Sequence, residues 1–287
     1  MSSHTESIHP AALYLEAFRM PAPTVEVARD LWPRKPGVFL RRVAPTGDAQ
    51  AVPRLDTDTD TDTDTDTDTD TDTDGVPLQT LSTSPSEALA VGEPLPASGE
   101  VPSGGAAPLL REWVGGQFGL VPPWVKSASD AKLRSTKLVA CRSETVTTAN
   151  TLRHAWLNGQ RCIVPVMAFF EDDWRSGKAV PTRIARVDGK PMGLAGLWER
   201  WEKDGEVIVS YTLLTVNANS HALMHRYQHA GAEKRMPAIL NEGAYDAWLS
   251  ARPEKAKEFL RAYPANWLLA NPVESKKPKA PAAIRGL

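Results

Sequence analysis

Nineteen residues in the first half of this chain, Asp56–Asp74, alternate aspartate and threonine without interruption, and they limit what the rest can build. Alternation is the period of a β-strand, but here every second residue carries a like charge and the others are small and polar. Such a run repels itself and has no apolar face to bury, so it is predicted to stay extended and unfolded. The stretch after it, to Pro108, continues in Pro, Ser, Gly and Ala and reads the same way. Loop-closure entropy grows only logarithmically with length, so a fold tolerates such an insertion. The expectation is therefore one folded domain over residues 1–270, interrupted by a disordered insert at about 46–110, with a flexible tail at 271–287.

The tract also hides the charge of the remainder. The chain of 287 residues has a formal net charge of −2, and setting aside the ten aspartates of the tract leaves +8 on the rest. A moderately basic body suits a polyanion such as nucleic acid, although +8 spread over a chain of this length is also ordinary. The two cysteines, Cys141 and Cys162, exclude a disulfide framework and suggest a reducing compartment. They match no metal-ligand spacing. The start MSSHTESIHP has no cationic and apolar leader, and no run approaches eighteen apolar residues. A cytoplasmic protein with no membrane contact is the expectation.

Apolar patterning over residues 116–269 fills in the domain. Ala11–Phe18 reads as an amphipathic helix with Leu13, Leu15 and Phe18 on one side. Strands are expected at Val38–Val43, Gly116–Val121, Cys162–Phe170, Pro181–Val187, Met192–Trp201, Val207–Val216 and Pro237–Leu240. The pair Asp188-Gly189 signals a hairpin. Helices are expected at Thr148–Leu157, Asn217–Arg226, Asn241–Ala251 and Pro253–Ala262. Strands at the core with helices at its edges give an α+β class with largely antiparallel sheet.

Four segments stand out: GQFGLVPPWV from Gly116, ACRSET from Ala140, GQRCIVPVMAFFEDDW from Gly159, and AGLWERW from Ala195 running on to TLLTVNANSHALMHRYQHAGAEKRMPAIL, which ends at Leu240. In this order and approximate spacing they resemble the signatures of the SOS response-associated peptidase (SRAP) family. The resemblance covers residues 116–249 and the first four residues. It implies a single SRAP domain that senses abasic sites in single-stranded DNA as a monomer, with no cofactor and no metal. In that family a cysteine follows the initiator Met. Its amine and thiol condense with the aldehyde of the open sugar to give a thiazolidine cross-link. An Asn and an Arg from an N-A-R-x-E motif, a Glu from F-Y-E and a His near R-M-P hold and protonate the sugar. The resemblance also implies a peptidase or hydrolase label, with cross-linking or lyase chemistry on DNA.

This chain departs from that pattern. Position 2 is Ser2, whose amine, freed by loss of Met1, has an ordinary pKa of about 7.7–8.0 and is partly nucleophilic near neutrality. Its hydroxyl closes a ring less readily than a thiolate. The N-A-R-x-E motif becomes Ala140-Cys141-Arg142-Ser143-Glu144, which loses the Asn but keeps Arg142 to clamp a phosphate or to pair with an acid. Cys141 reads either as a displaced nucleophile or as a small buried residue. Glu171, after two phenylalanines, reads as a partly desolvated proton shuttle with a raised pKa, or as an exposed turn acid. The ungapped match to the family His falls on Gln228, with His229 one residue later, and His229 is taken as the site histidine. His221, His225 and His229 have a helical metal-ligand spacing, but no acid motif supports it. The catalytic set is thus Ser2, Arg142, Glu171 and His229. The DNA-binding set is Trp124, Lys126, Arg142 and Arg235, with Trp124 stacking a base. The alternative is a degenerate relative that binds single-stranded DNA without covalent chemistry. No G-x-S-x-G motif supports a general hydrolase.

Overall fold

The structure, a computed structural model, describes residues 4–43 and 109–273, all within one compact unit. Ser2, the Asp-Thr insert and the tail from residue 274 lie outside the described residues. Among those described, no helix is long and apolar enough to cross a membrane.

The chain opens with strand β1 (Thr5–Glu6), helix α1 (Ala11–Phe18), β2 (Asp30–Leu31) and β3 (Pro36–Arg42). Beyond the insert come β4 (Arg111–Phe118), α2 (Ala128–Ser135), β5 (Ala140–Arg142) and α3 (Arg153–Leu157). Then follow β6 (Arg161–Val166), β7 (Ala168–Asp173), β8 (Val180–Arg186), β9 (Met192–Lys203) and β10 (Glu206–Asn217). The chain closes with β11 (Arg235–Pro237), β12 (Ile239–Leu240), α4 (Tyr245–Ser250), α5 (Pro253–Ala256) and β13 (Leu268–Pro272).

Two sheets result. Along one, β10, β4, β3, β6 and β9 pair in turn, and β9 pairs back onto β10, so the five strands close into a ring. Closure removes exposed edges and buries strands on both faces, which is why β6 is buried at every position and reads as an unbroken apolar run. Gly196 of β9 permits the close approach. A Cβ there would lie 2.6 Å from the Thr212 carbonyl and 2.9 Å from the Cys162 sulfur. The second sheet has the order β13-β8-β7-β1-β2 and is antiparallel throughout. Parallel pairing is confined to β10 with β4 and with β5, so the class is α+β with mostly antiparallel sheet.

Several expectations change here. The run Cys162–Phe170 is two strands: Met167 is the break, and β6 and β7 belong to different sheets. Asp188-Gly189 is a turn, but it carries the chain from β8 in one sheet to β9 in the other rather than closing a hairpin. The hairpin is at Asp204-Gly205, both with positive φ (51° and 80°), between Lys203 and Glu206 of β9 and β10. That is the backbone a two-residue primed turn demands. In α1, Tyr14, Ala17 and Phe18 are buried, while Leu15 faces solvent. The predicted helix Asn217–Arg226 shrinks to a single turn, Met224–Arg226, which the His221 ring caps: its Nδ1 accepts from the Leu223 and Met224 amides at 3.2 and 3.0 Å.

Candidate active site

A cleft of about 490 Å³ opens where the N-terminal strand meets β7. Its construction begins with pairing. β1 lies between β2 and β7, in register Thr5↔Leu31 and Thr5↔Phe169, and the Phe170 amide donates to the His4 carbonyl at 3.1 Å. Farther along the same edge of β7, the Gln228 amide donates to the Asp172 carbonyl at 2.9 Å, and Tyr227 bridges Asp173. Glu171 therefore sits at the junction, between the stretch claimed by the N-terminal strand and the stretch claimed by the loop that precedes β11. Its side chain is buried, with 4% of the residue exposed. The sequence suggested a strand end for this carboxylate; it lies instead in mid-strand, opposite Thr182.

His4 fixes the strand end. Its ring is sandwiched between Phe170 (centroids 3.9 Å apart, planes within 5°) and Trp32 (4.1 Å, 12°), and its Nε2 lies 2.8 Å from an Asp30 carboxylate oxygen. Two residues on, Glu6 is buried and accepts from Arg29 at 3.1 Å and Arg183 at 2.5 Å. Two ladders, one ring stack and two guanidinium pairs thus anchor a two-residue strand that has no strength of its own.

The opposite wall interlocks two of the sequence motifs. Arg235 is buried, and its guanidinium makes four hydrogen bonds: to Thr215 Oγ1 (3.0 Å), the Thr215 carbonyl (2.8 Å), Glu233 (2.6 Å) and Glu144 (2.6 Å). Four of its five donors are thereby used. Arg142 is exposed and pairs with the other oxygen of Glu233 at 2.8 Å. The Asn217 carboxamide, followed by Arg235 and Arg142, holds the Glu233 carboxyl below the usual carboxylate range. Gln228, at φ 68°, is locked onto the Arg235 backbone through both ends of its amide, at 2.8 and 3.2 Å. His229, one residue on, is exposed and stacks on Trp174 at 3.7 Å.

Of the residues singled out from the sequence, the cleft brings together Glu171, His229 and Arg235. Arg142 reaches its wall through Glu233. Trp124 and Lys126 are not among the lining residues. Trp124 lies under the Arg134 guanidinium at 4.7 Å and donates to the Asn150 carbonyl at 3.2 Å. Cys141 is buried in β5 and accepts from the Thr212 hydroxyl; burial pushes its thiol up to about 11. His221 has both ring nitrogens engaged, one of them 2.7 Å from the Tyr263 carbonyl, and no metal-holding group of His, Cys, Asp and Glu occurs among the described residues. Sequence reading passed over His4, Trp32 and Glu233. The only signals for them were the histidine in M-S-S-H, a tryptophan in a proline-flanked turn, and the acid two residues before Arg235.

Comparison with known proteins agrees with this architecture. A crystal structure of a protein from Bordetella bronchiseptica superposes with a TM-score of 0.68 at 34% identity, covering 95% of this chain and 100% of that one. Another from Bacteroides thetaiotaomicron gives 0.51 at 27% identity, over 56% of this chain and 68% of that one. Among curated proteins, abasic site processing protein HMCES of Gallus gallus is 28% identical over 181 residues, 55% of this chain and 52% of that protein. An abasic site processing protein of Saccharomyces cerevisiae is 29% identical over 138 residues, 46% of this chain and 33% of that one. The chain thus spans about half or less of the length of these curated relatives. The family model described as SOS response associated peptidase (SRAP) matches residues 63–278, a span that holds all four sequence motifs and most of the chain. With that match, the chain belongs to the SRAP family.

Proposed function

We propose that this chain processes abasic sites in single-stranded DNA through its N-terminal residue, as a monomer in the cytoplasm. The observation that carries this reading is the register of β1 on β7. In an antiparallel ladder each step toward the amino terminus on β1 is a step toward Glu171 on β7. Two residues span at most about 7 Å, so an amine on Ser2 stays within reach of the cleft that His4 lines. The curated relatives named for abasic site processing support the substrate class.

The chemistry needs few parts. Once Met1 is removed, the neutral Ser2 amine attacks the sugar aldehyde. A proton passes from nitrogen to the carbinol oxygen, water leaves, and a C=N bond forms. Glu171, buried at the cleft, carries protons between nitrogen and oxygen in both the addition and the loss of water. Ring closure by the Ser2 hydroxyl gives an oxazolidine, which reopens more easily than the sulfur ring. The covalent state is thus weaker than one made by cysteine. Arg142, on the cleft wall, is the cation that exchanges Glu233 for a phosphate.

A second reading, binding without covalent chemistry, is favoured by one observation: the side chain at 228 is an amide tied to the Arg235 backbone, with no imidazole at that point. Incubation with an abasic single-stranded oligonucleotide, with and without borohydride, separates the two. The proposed function gives a covalent band that needs borohydride. Retarded DNA on a native gel with no covalent band in either lane leaves only the second reading.

A further inference from the structure

The turn between β2 and β3, Trp32-Pro33-Arg34-Lys35, has no part in the chemistry above. It nevertheless presents an aromatic ring to the cleft and carries two exposed cations beside it in sequence. Trp32 lines the cleft and is 48% exposed, a costly state for the largest apolar side chain. Its orientation is set from behind, because Phe170, His4 and Trp32 form a column of three near-parallel rings with Trp32 as its outer member. The turn itself is pinned. The Arg34 amide donates to the Phe118 carbonyl, the Phe118 amide to Lys35, and the Lys35 amide back to Trp32, at 2.6, 3.0 and 3.0 Å. Arg34 is held at φ 67°, a left-handed conformation that an arginine adopts only when its surroundings impose it.

The charges point the same way. Arg142 and Arg235 are already paired with Glu233 and Glu144. Arg34 and Lys35 are exposed and take part in none of the described ion pairs. A rigid ring next to two unpaired cations is the arrangement that binds a single strand: the base stacks while the cations meet successive phosphates.

We infer that this turn is the surface that carries single-stranded DNA into the cleft, with an unpaired base stacked on Trp32 as the fourth ring of the column and backbone phosphates held by Arg34 and Lys35. The inference rests on the DNA reading of the site and adds the residues that guide the strand. It also explains the column: a ring fixed by two others loses little freedom when a base lands on it.

The test is fluorescence anisotropy with a labelled single-stranded oligonucleotide containing one abasic position, using the full chain. Trp32→Ala is expected to weaken binding about 5- to 150-fold, and Trp32→Phe, which keeps a ring, to recover most of it. The double variant Arg34→Ala, Lys35→Ala touches only exposed groups. It is expected to flatten the slope of log affinity against log salt by about 1.4, two single-strand phosphate contacts. Wild-type binding with no change in either variant overturns the surface and leaves the DNA reading standing. No binding by the wild type overturns both.

Discussion

Arg235 and Glu171 are both buried at the cleft, yet burial serves them differently. Arg235 holds two carboxylates and a strand carbonyl together, so its role is to tie Ala140–Arg142 and its following turn to β11. Arg235→Ala leaves Glu144 and Glu233 without their shared cation and is expected to lower the unfolding free energy by about 3 kcal/mol, measured by urea denaturation. Glu171→Gln keeps the shape but removes the carboxylate proposed as the proton carrier. Imine trapping is expected to slow about 100-fold or more, with the urea midpoint little changed, as read by single-turnover gels. Cys141 is the contrast. With its thiol raised to about 11 by burial, it is overwhelmingly protonated at pH 8. Iodoacetamide is therefore expected to leave the folded protein unalkylated by intact mass, whereas urea exposes both thiols. That Glu171 lines the cleft could be anticipated because its motif is local. The Arg142–Glu233 and Arg235–Glu144 pairs could not, because each joins residues about ninety positions apart and no local pattern encodes the partner.

Among the elements, legibility followed length. β9 and β10 run twelve residues each and were visible from composition, whereas β1 and β2 have two residues each and owe their form to their neighbours. The apolar run over β6 and β7 concealed a change of sheet at Met167, since burial on both faces erases the alternation that marks a strand's orientation. The helix expected over Asn217–Arg226 failed for a different reason: the Asn217 and Asn219 side chains bond nearby backbone and side-chain groups and hold an irregular loop. β1 is the element on which the proposed chemistry depends. Inserting one glycine between Ser3 and His4 leaves the anchored ladder in place but lengthens the segment that precedes it by one residue. Trapping is expected to fall at least tenfold, with the thermal midpoint unchanged; equal trapping would detach the ladder from function.

At the scale of the molecule, the acidic insert links two strands that pair as neighbours. Arg42 is opposite Arg111, and the Val43 amide donates to the Leu110 carbonyl at 2.9 Å, so the fold closes across it. Replacing residues 45–107 with a turn about tenfold shorter is expected to stabilise the chain by up to about 2 kcal/mol in urea, with DNA trapping retained. Ser2→Cys restores a thiol beside the amine, and a covalent band that survives without borohydride is expected on a denaturing gel. The most direct measurement is mass spectrometry of the borohydride-trapped complex after digestion. The N-terminal peptide carrying the reduced sugar on the Ser2 amine is the predicted result. An adduct on a lysine, or an intact Met1 in the trapped species, would contradict it.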